Sequence, residues 1–275
     1  MDKALRTLVL CLALALISPI IGCGGPTAVS PEMSKNMLKI RGYKFTTEDF
    51  FRGIKSEDTA VINGFLDAGM NPNSKNKDGM TALTYALQNT GIKTIRVLAR
   101  KADINLKDDL DNGPLHLAIS RGNDEAVAFL LDANADVNVT GKDGRVTNQS
   151  PLFAAILADN SELIEKLLKK GADPNIADSE SAFPLSEACV RNGATVKIVK
   201  LLIEGGAEVN KVEKNGASSL TYAAQNSGID VETRKAIVEL LLKNGADKSL
   251  RDKTGKTALD WAKEIGHTEM VEILK

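Results

Sequence analysis

The stretch Asn112-Gly113-Pro114-Leu115-His116-Leu117-Ala118 decides the fold of this chain, because its pattern recurs along most of the sequence. The leucine of the pattern returns at Leu83, Leu115, Leu152, Leu185, Leu220 and Leu259. Subtraction of these numbers gives gaps of 32, 37, 33, 35 and 39 residues. A period of this size, carried by a fixed pattern, indicates stacked repeats. Such repeats expose one long surface and seldom enclose a catalytic pocket, so the sequence favours a binding function.

Each repeat predicts two helices joined by a turn. A Thr or Ser before Pro-Leu or Ala-Leu can cap the first helix, because its hydroxyl accepts from an otherwise unpaired backbone N–H. The second helix carries apolar residues at helical spacing, as at Ile164 and Leu167, and a glycine such as Gly171 ends it. One unit cannot bury its apolar face alone, so each unit depends on its neighbours.

These copies resemble the ankyrin repeat family. Besides the stretch above, they read Gly79-Met80-Thr81-Ala82-Leu83, Ser150-Pro151-Leu152-Phe153-Ala154-Ala155, Phe183-Pro184-Leu185-Ser186-Glu187-Ala188, Ser219-Leu220-Thr221-Tyr222-Ala223 and Thr257-Ala258-Leu259-Asp260-Trp261-Ala262. The closing element of the family recurs as Gly69-Met70-Asn71-Pro72-Asn73, Gly171-Ala172-Asp173-Pro174-Asn175, Gly206-Ala207-Glu208-Val209-Asn210 and Gly245-Ala246-Asp247.

The resemblance implies an all-α solenoid of about seven helix-turn-helix units with short β-hairpin loops over residues 44–275. The unit boundaries are expected near 45–76, 77–108, 109–141, 142–177, 178–212, 213–250 and 251–275. The period slips at two insertions, 143–149 and 226–233. The first lies in a hairpin on the expected binding side. The second lies on the opposite edge and is equally consistent with neutral drift; Asp230 is its predicted helix cap.

The N-terminus has the layout of an export signal. Lys3 and Arg6 precede an apolar stretch, residues 8–21, that is too short to span a bilayer stably. It ends in Ile20-Ile21-Gly22-Cys23, which resembles the bacterial lipobox, although a smaller residue is commoner at the position of Ile21. The resemblance implies a signal peptide over residues 1–22 and acylation of Cys23. The alternative is an ordinary signal or an uncleaved anchor with a chance cysteine.

Residues 23–43 are predicted to be the lipidated cysteine and a flexible tether, because glycine and proline dominate their first part. Gly24 after the cysteine favours the outer membrane over the inner one, with the protein in the periplasm. An internal start at Met33 or Met37 is the alternative, and it would give a cytosolic form without a lipid.

Composition narrows the class of partner. The formal charge of −1 becomes about −2 when residues 1–22 are removed, because two cations and one anion leave with them. A near-neutral chain gives no electrostatic reason to expect nucleic acid as the partner. Of the three cysteines only Cys189 lies in the predicted repeats, so no intramolecular disulfide is available to the mature chain.

Residues that suggest chemistry have simpler structural interpretations. His116 and His267 occupy positions where the family uses histidine to bond neighbouring repeats. Asp108, Asp109 and Asp111 lack the glycine and the closing glutamate of a calcium loop, so a solvated acidic turn is favoured. There is no glycine-rich phosphate loop and no nucleophile elbow. We therefore expect no enzymatic activity, cofactor or metal.

The resemblance implies that partners bind the concave surface, which consists of the hairpin tips and the first helices. Arg121, Leu157 and Arg191 are the expected anchors, since arginines and apolar groups often dominate interface energies. Further contacts are expected from Arg145, Asp109, Asp111 and Glu180 at the tips and from Asn89, Gln225 and Asn226 on the first helices.

The leading hypothesis is a monomeric envelope lipoprotein that binds and neutralises a toxic protein. Periplasmic ankyrin proteins of this size resemble immunity proteins against type VI secretion effectors, including lipases. A lipid anchor would hold such an inhibitor beside the membrane that the toxin attacks. The alternative is a scaffold or stabiliser of a resident periplasmic enzyme.

Overall fold

The computed structural model describes residues 29–193 and 195–275 and shows an array of helix pairs. Helix α1, Pro31–Ile40, precedes the array. Seven pairs follow: α2 Thr47–Lys55 with α3 Thr59–Asp67, α4 Ala82–Asn89 with α5 Ile92–Ala99, α6 Pro114–Ser120 with α7 Asp124–Asp132, α8 Pro151–Leu157 with α9 Ser161–Lys169, α10 Pro184–Val190 with α11 Val196–Glu204, α12 Ser219–Gln225 with α13 Val231–Lys243, and α14 Ala258–Glu264 with α15 Thr268–Leu274.

Successive units stack in register. Each first helix contacts the first helix of the next unit, and second helices contact the next second helix from α3 to α7 and from α9 to α15. Buried apolar side chains form one continuous core from Leu38 in α1 to Leu274 in α15. The predicted solenoid of about seven helix-turn-helix units is confirmed.

The predicted helix caps are present in four units. The hydroxyl of Ser150 accepts a hydrogen bond from the N–H of Phe153 at 3.1 Å, and Thr81, Ser218 and Thr257 cap their helices in the same way. Gly113 and Phe183 stand at the N-cap of α6 and α10, where proline begins the helix without a hydroxyl cap. Gly171 ends the second helix of its unit with a φ of +89°.

Neighbouring units are also joined by a repeated hydrogen bond. The side-chain oxygen of an asparagine in one closing loop accepts from the backbone N–H of a residue in the next closing loop. The pairs are Asn73 with Asp103, Asn105 with Asp136, Asn138 with Asp173, Asn175 with Glu208 and Asn210 with Asp247, at 2.8–2.9 Å. We call this series the asparagine ladder.

The predicted tether is wrong over its second half, because residues 31–40 form helix α1. The hydroxyl of Ser30 accepts from the N–H of Met33, and Pro31 occupies the first turn, where proline favours a helix start. Leu38 is 2 % exposed and packs on α3. Gly64 makes room for it, since a Cβ there would lie 3.3 Å from a methyl group of Leu38.

The predicted signal peptide, Cys23 and the first part of the tether lie outside the described residues. Within residues 29–193 and 195–275, no helix combines the length and the hydropathy that crossing a bilayer requires.

The first insertion forms a true β-hairpin. Strands β1, Gly141–Asp143, and β2, Val146–Gln149, pair antiparallel around a turn at Gly144 and Arg145. The backbone of Thr147 in β2 accepts from the N–H of Ser179 at 2.9 Å, which ties this hairpin to the next unit.

The second insertion is a packed loop followed by a lengthened helix. Asp230 caps α13 as predicted, accepting from the N–H of Thr233 at 2.8 Å. Arg234 is only 5 % exposed, and its guanidinium donates to the backbone oxygens of Asn226 at 2.6 Å and Ile229 at 3.1 Å. These bonds show that the inserted loop has a structural role at this edge of the array.

Asp252 organises the hairpin tip of the last unit. Its carboxylate accepts from the indole N–H of Trp261 at 2.6 Å and from the backbone and hydroxyl of Thr254 at 2.8 and 2.6 Å. Desolvation favours the neutral carboxyl, but these hydrogen bonds outweigh it and lower the pKa of Asp252 to about 2. Because this value lies below the ordinary 3.8, the carboxylate stabilises the folded state above pH 3.8 and the contribution is lost as pH falls towards 2.

Trp261 is the one tryptophan of the chain, so its emission reports on this bond. In an acid titration we expect an emission change with a midpoint near pH 2, followed alongside far-UV circular dichroism to separate it from unfolding. Asp252→Asn is the matched control and should lack that change. A midpoint near the ordinary carboxyl value in the folded protein would contradict the assignment.

Candidate functional site

The first helices and the loops that precede them line one side of the array, which we call the concave surface. The hairpin tips on this side are bonded to one another. The N–H of Asp109 donates to the oxygen of Gly79 at 3.0 Å, and the N–H of Lys253 donates to the oxygen of Asn215 at 2.8 Å. Side chains from successive units therefore stand next to each other along this surface.

A cleft of about 550 Å³ opens between the tips of the third and fourth units. Its lining comprises Gln88, Leu110, Asn112, Leu117, Ser120, Arg121, Lys142 and Gly144. We call it the tip cleft. A smaller cavity of about 190 Å³ shares Ser120 with it and is lined by His116, Ile119, Ser120, Gln149, Ala154, Leu157 and Ala158. The structure thus brings the predicted anchors Arg121 and Leu157 to adjoining parts of one surface.

The inserted hairpin forms one wall of this site because His116 packs against its first strand. A Cβ at Gly141 would lie 2.1 Å from Nδ1 of His116, so only glycine permits this approach. His116 is fully buried, which supports the structural role expected for it. The hairpin therefore holds Lys142 at the tip cleft.

The tip cleft combines apolar surface with cations that are unpaired with respect to the described carboxylates. Leu110 is 43 % exposed at a hairpin tip, which is unusual for leucine. Arg121 and Lys142 line the cleft, and Arg145 is exposed in the adjacent turn. Among the side chains that the structure describes, none forms an ion pair with any of these three cations. Their charge is available to an acidic group of a partner.

The predicted acidic turn is organised by one buried carboxylate. Asp108 is 6 % exposed and accepts from the backbone N–H groups of Leu110 and Asn112 at 2.9 Å each. The expectation of a solvated turn is therefore wrong for this residue. Asp109 pairs with Lys75, and Asp111 pairs with Lys107 at 2.5 Å. These ion pairs already satisfy the two predicted partner-binding carboxylates. Within the described part of the chain, no group of three metal-ligating side chains stands together.

Arg191 lies on the concave surface but joins the fourth unit to the fifth. Its guanidinium donates to the backbone oxygen of Leu157 at 3.0 Å and lies 3.4 Å from Asp159 and 3.6 Å from Glu187. Burial raises the pKa of Glu187, and the nearby Arg191 offsets part of that effect. The role of Arg191 as an interface anchor stays a prediction. A partner that binds Arg191 would have to share these contacts or replace them.

Asn226 was expected to contact a partner, but its side chain is 6 % exposed. Its amide donates to the backbone oxygens of Cys189 at 2.9 Å and Arg191 at 2.8 Å. It therefore satisfies two carbonyl groups at the end of α10, and it cannot reach a partner in this arrangement. Nothing in the repeat pattern distinguishes this buried asparagine from an exposed one.

The other predicted contacts remain available at the surface. Asn89 is exposed, and its amide donates to the oxygen of Tyr85 at 2.9 Å. Gln225 is half-buried next to Asn226. Glu180 is exposed beside a shallow cavity of about 340 Å³ that it shares with Glu213, Lys214, Asn215 and Lys253.

Sequence reasoning missed Leu110, Leu117 and Lys142 as lining of the tip cleft. The repeat pattern places Leu117 on a first helix, but it does not show which side of that helix faces the cleft. Lys142 could be placed only once the register of the inserted hairpin was known. The signal that pointed to this region was the 37-residue gap between Leu115 and Leu152.

The family model "Ankyrin repeats (3 copies)" matches residues 51–141, 114–178, 152–252 and 185–275, which together cover most of the chain. This protein belongs to the ankyrin repeat family.

Relatives share the fold over different extents. The ankyrin repeat protein YahD of Escherichia coli strain K12 is 31% identical over 229 residues, covering 82% of this chain and 94% of YahD. The ankyrin repeat protein nuc-2 of Neurospora crassa is 29% identical over 76% of this chain, and the E3 ubiquitin-protein ligase Ufd4 of Drosophila melanogaster is 45% identical over 30%. The matched regions span 16% of nuc-2 and 3% of Ufd4, so these two are much longer proteins.

A solved structure shows the same architecture. The ankyrin repeat domain of Bcl-3, a member of the IkappaB protein family, matches with a TM-score of 0.65 and 25% identity, covering 82% of this chain and 96% of that one. The ankyrin repeat fold is in general a non-enzymatic scaffold for binding other proteins.

The structural role of Asn226 can be tested by truncation. Asn226→Ala leaves two backbone oxygens without their donor, so we expect it to lower the free energy of unfolding by about 1–3 kcal/mol, measured in urea. Gln225→Ala is the matched control at the next position and should change it by less than about 0.5 kcal/mol. Equal effects of the two substitutions would be evidence against the structural role.

Proposed function

We propose that this protein is a lipid-anchored binding protein of the bacterial cell envelope that neutralises a toxic effector, with a type VI lipase as one candidate class. The observation that carries the binding site is the tip cleft, where Arg121, Lys142 and Arg145 lie around Leu110 and Leu117 and form no ion pair with any carboxylate that the structure describes. The coarser conclusion, a protein-binding scaffold, follows from membership of the ankyrin repeat family.

The tip cleft favours a partner surface on which an apolar side chain lies next to a carboxylate. An arginine at the rim of a partly apolar cleft is a common energetic anchor, because its planar group can pair with a carboxylate while its stem packs on apolar neighbours. Unpaired surface cations also steer an acidic partner towards the site and raise the association rate. Elsewhere on the concave surface, Arg191 is already paired, so the third and fourth units carry the proposed site.

The envelope location is supported by the N-terminal sequence. The apolar stretch followed by Ile20-Ile21-Gly22-Cys23 supplies the acceptor cysteine for an acyl chain. The one cysteine in the described residues, Cys189, is buried, and burial raises its pKa to about 12. That thiol is therefore unreactive, which leaves Cys23 as the cysteine available for modification in the mature chain.

The neutralising role is supported by the combination of anchor and site. A toxin that attacks lipid works at the membrane surface, and an inhibitor anchored there meets it at a high local concentration. A resident enzyme that this protein stabilises is the competing partner, and the experiment below distinguishes the two.

The binding proposal is tested by recovering partners from envelope extract with the mature protein and identifying them by mass spectrometry. We expect a toxin-like effector, and we expect a deletion strain to lose survival against sibling cells that deliver it. Recovery of a housekeeping enzyme whose activity falls in the deletion strain would instead establish the scaffold role.

Charge reversal then locates the site. Arg121→Glu replaces an unpaired cation of the tip cleft, so we expect the affinity for the recovered partner to fall at least tenfold, corresponding to about 1.4 kcal/mol, in a titration by calorimetry. Arg100→Glu makes the same charge change at an exposed position after α5 and should leave the affinity within about twofold, less than 0.5 kcal/mol. If both variants bind alike, the partner does not use the tip cleft.

The anchor has its own test. Cys23→Ala should abolish incorporation of an alkynyl palmitate label in cells and release the protein from the membrane fraction. Cys11→Ala, the other cysteine before the described residues, should change neither result. Labelling that persists in Cys23→Ala would show that the lipobox interpretation is wrong.

A further inference from the structure

Helix α1 carries a row of exposed apolar side chains. Val29, Met33, Met37 and Ile40 are 46%, 45%, 52% and 75% exposed. Their spacing of four, four and three residues places those within the helix along one side of it. We call this row the N-terminal stripe. The side chains of α1 that pack inward are Ser34 and Leu38, so the N-terminal stripe is not part of the core.

Exposed apolar groups are concentrated at this end of the molecule. Nine large apolar side chains are exposed in the described part of the chain, and five of them lie between Val29 and Phe45. Single exposed apolar residues need no explanation, but a cluster of this kind marks an interaction surface.

We propose that the N-terminal stripe docks on the lipid bilayer and that α1 lies in the membrane interface. The proposal rests on the lipid anchor at Cys23 proposed above. Six residue steps separate Cys23 from Val29, and an extended chain covers at most about 22 Å in that length. An acyl chain on Cys23 therefore keeps the stripe close to the bilayer at all times.

Because the protein is already tethered, a small apolar surface is sufficient for docking on the bilayer. Once the acyl chain holds the protein on the membrane, docking of α1 is an intramolecular step that costs no further loss of free translation. Helix α1 has ten residues and is about 15 Å long, a suitable length for a helix that lies along the interface without crossing it. On the side of α1 away from Met37, exposed Lys39 keeps its ammonium in water.

Docking in this manner would orient the array. Helix α1 packs on α3, α3 packs on α5, and α5 packs on α7. Packed helices are about 8–10 Å apart, so three steps place the third unit, and the tip cleft beside it, about 24–30 Å from the membrane-bound helix. The partner would then be bound at a defined height above the lipid.

The test uses single thiols at two positions of α1. Met37→Cys and Lys39→Cys are made in the full-length protein, which is produced with its anchor and reconstituted in phosphatidylethanolamine–phosphatidylglycerol vesicles. Residues two apart on a helix lie about 200° apart, so the two thiols report on nearly opposite sides of α1. Cys189 does not interfere, because it is buried and its pKa is raised to about 12.

On vesicles, we expect a water-soluble maleimide to label the Met37→Cys thiol at least tenfold more slowly than the Lys39→Cys thiol, a ratio equivalent to about 1.4 kcal/mol. In residues 24–275 without the anchor, which retain the whole described core, the two thiols should react at similar rates. Circular dichroism of every variant shows that the array is folded.

Other results would overturn the proposal. Equal labelling on vesicles, in protein that floats with the vesicles, would leave the anchor intact and exclude docking of α1. Slow labelling of the Met37→Cys thiol already in residues 24–275 would show that protein, such as a second copy of the chain, covers the stripe. Protein that fails to float with the vesicles would show that the anchor itself is absent.

Discussion

The asparagine ladder is the interaction on which the rest of the structure depends. In each of five loops, an asparagine oxygen accepts from a backbone N–H of the next unit at 2.8–2.9 Å. Three of these asparagines also donate from their amide groups to a glycine oxygen of the next unit, namely Asn138, Asn175 and Asn210. Because apolar packing is non-directional, these bonds are what fix the register of one unit on the next. Every cleft between units inherits its shape from that register.

The repeat pattern predicted the architecture because it reports apolar packing. Each leucine of the series is at the start of a first helix, and those such as Leu83 and Leu152 are almost completely buried. Helix α1 could not be predicted in this way. It has no copy of the pattern, and the proline that begins it follows a glycine-rich run that is typical of a tether. The inward side chains of α1 are Ser34 and Leu38, and a glycine on α3 accommodates the leucine; such contacts have no signature in a single sequence.

The candidate site was predicted in part, and the failures have physical causes. Positions on the first helices predicted Arg121 and Leu157 as anchors on consecutive units, and the structure places them in adjoining cavities, while their role as anchors stays a prediction. The same reasoning also predicted Arg191 and Asn226 as partner contacts, but their side chains donate hydrogen bonds to carbonyl groups of adjacent units. A polar side chain at such a position either binds the next unit or remains free for a partner. The outcome depends on whether an acceptor lies within reach, and that depends on the fold.

The distribution of charge separates these two uses along the concave surface. Arg191 has three acceptors within 3.6 Å, whereas Arg121, one unit from Leu157 in the other direction, has no ion-pair partner among the described side chains. A paired arginine contributes to the interface between units. An unpaired one beside exposed Leu110 contributes little to folding, because a solvated surface charge is nearly neutral for stability. Such residues can change without cost to the array, so a unit can acquire a binding surface through its inserted hairpin and exposed tips while the ladder and the core stay as they are.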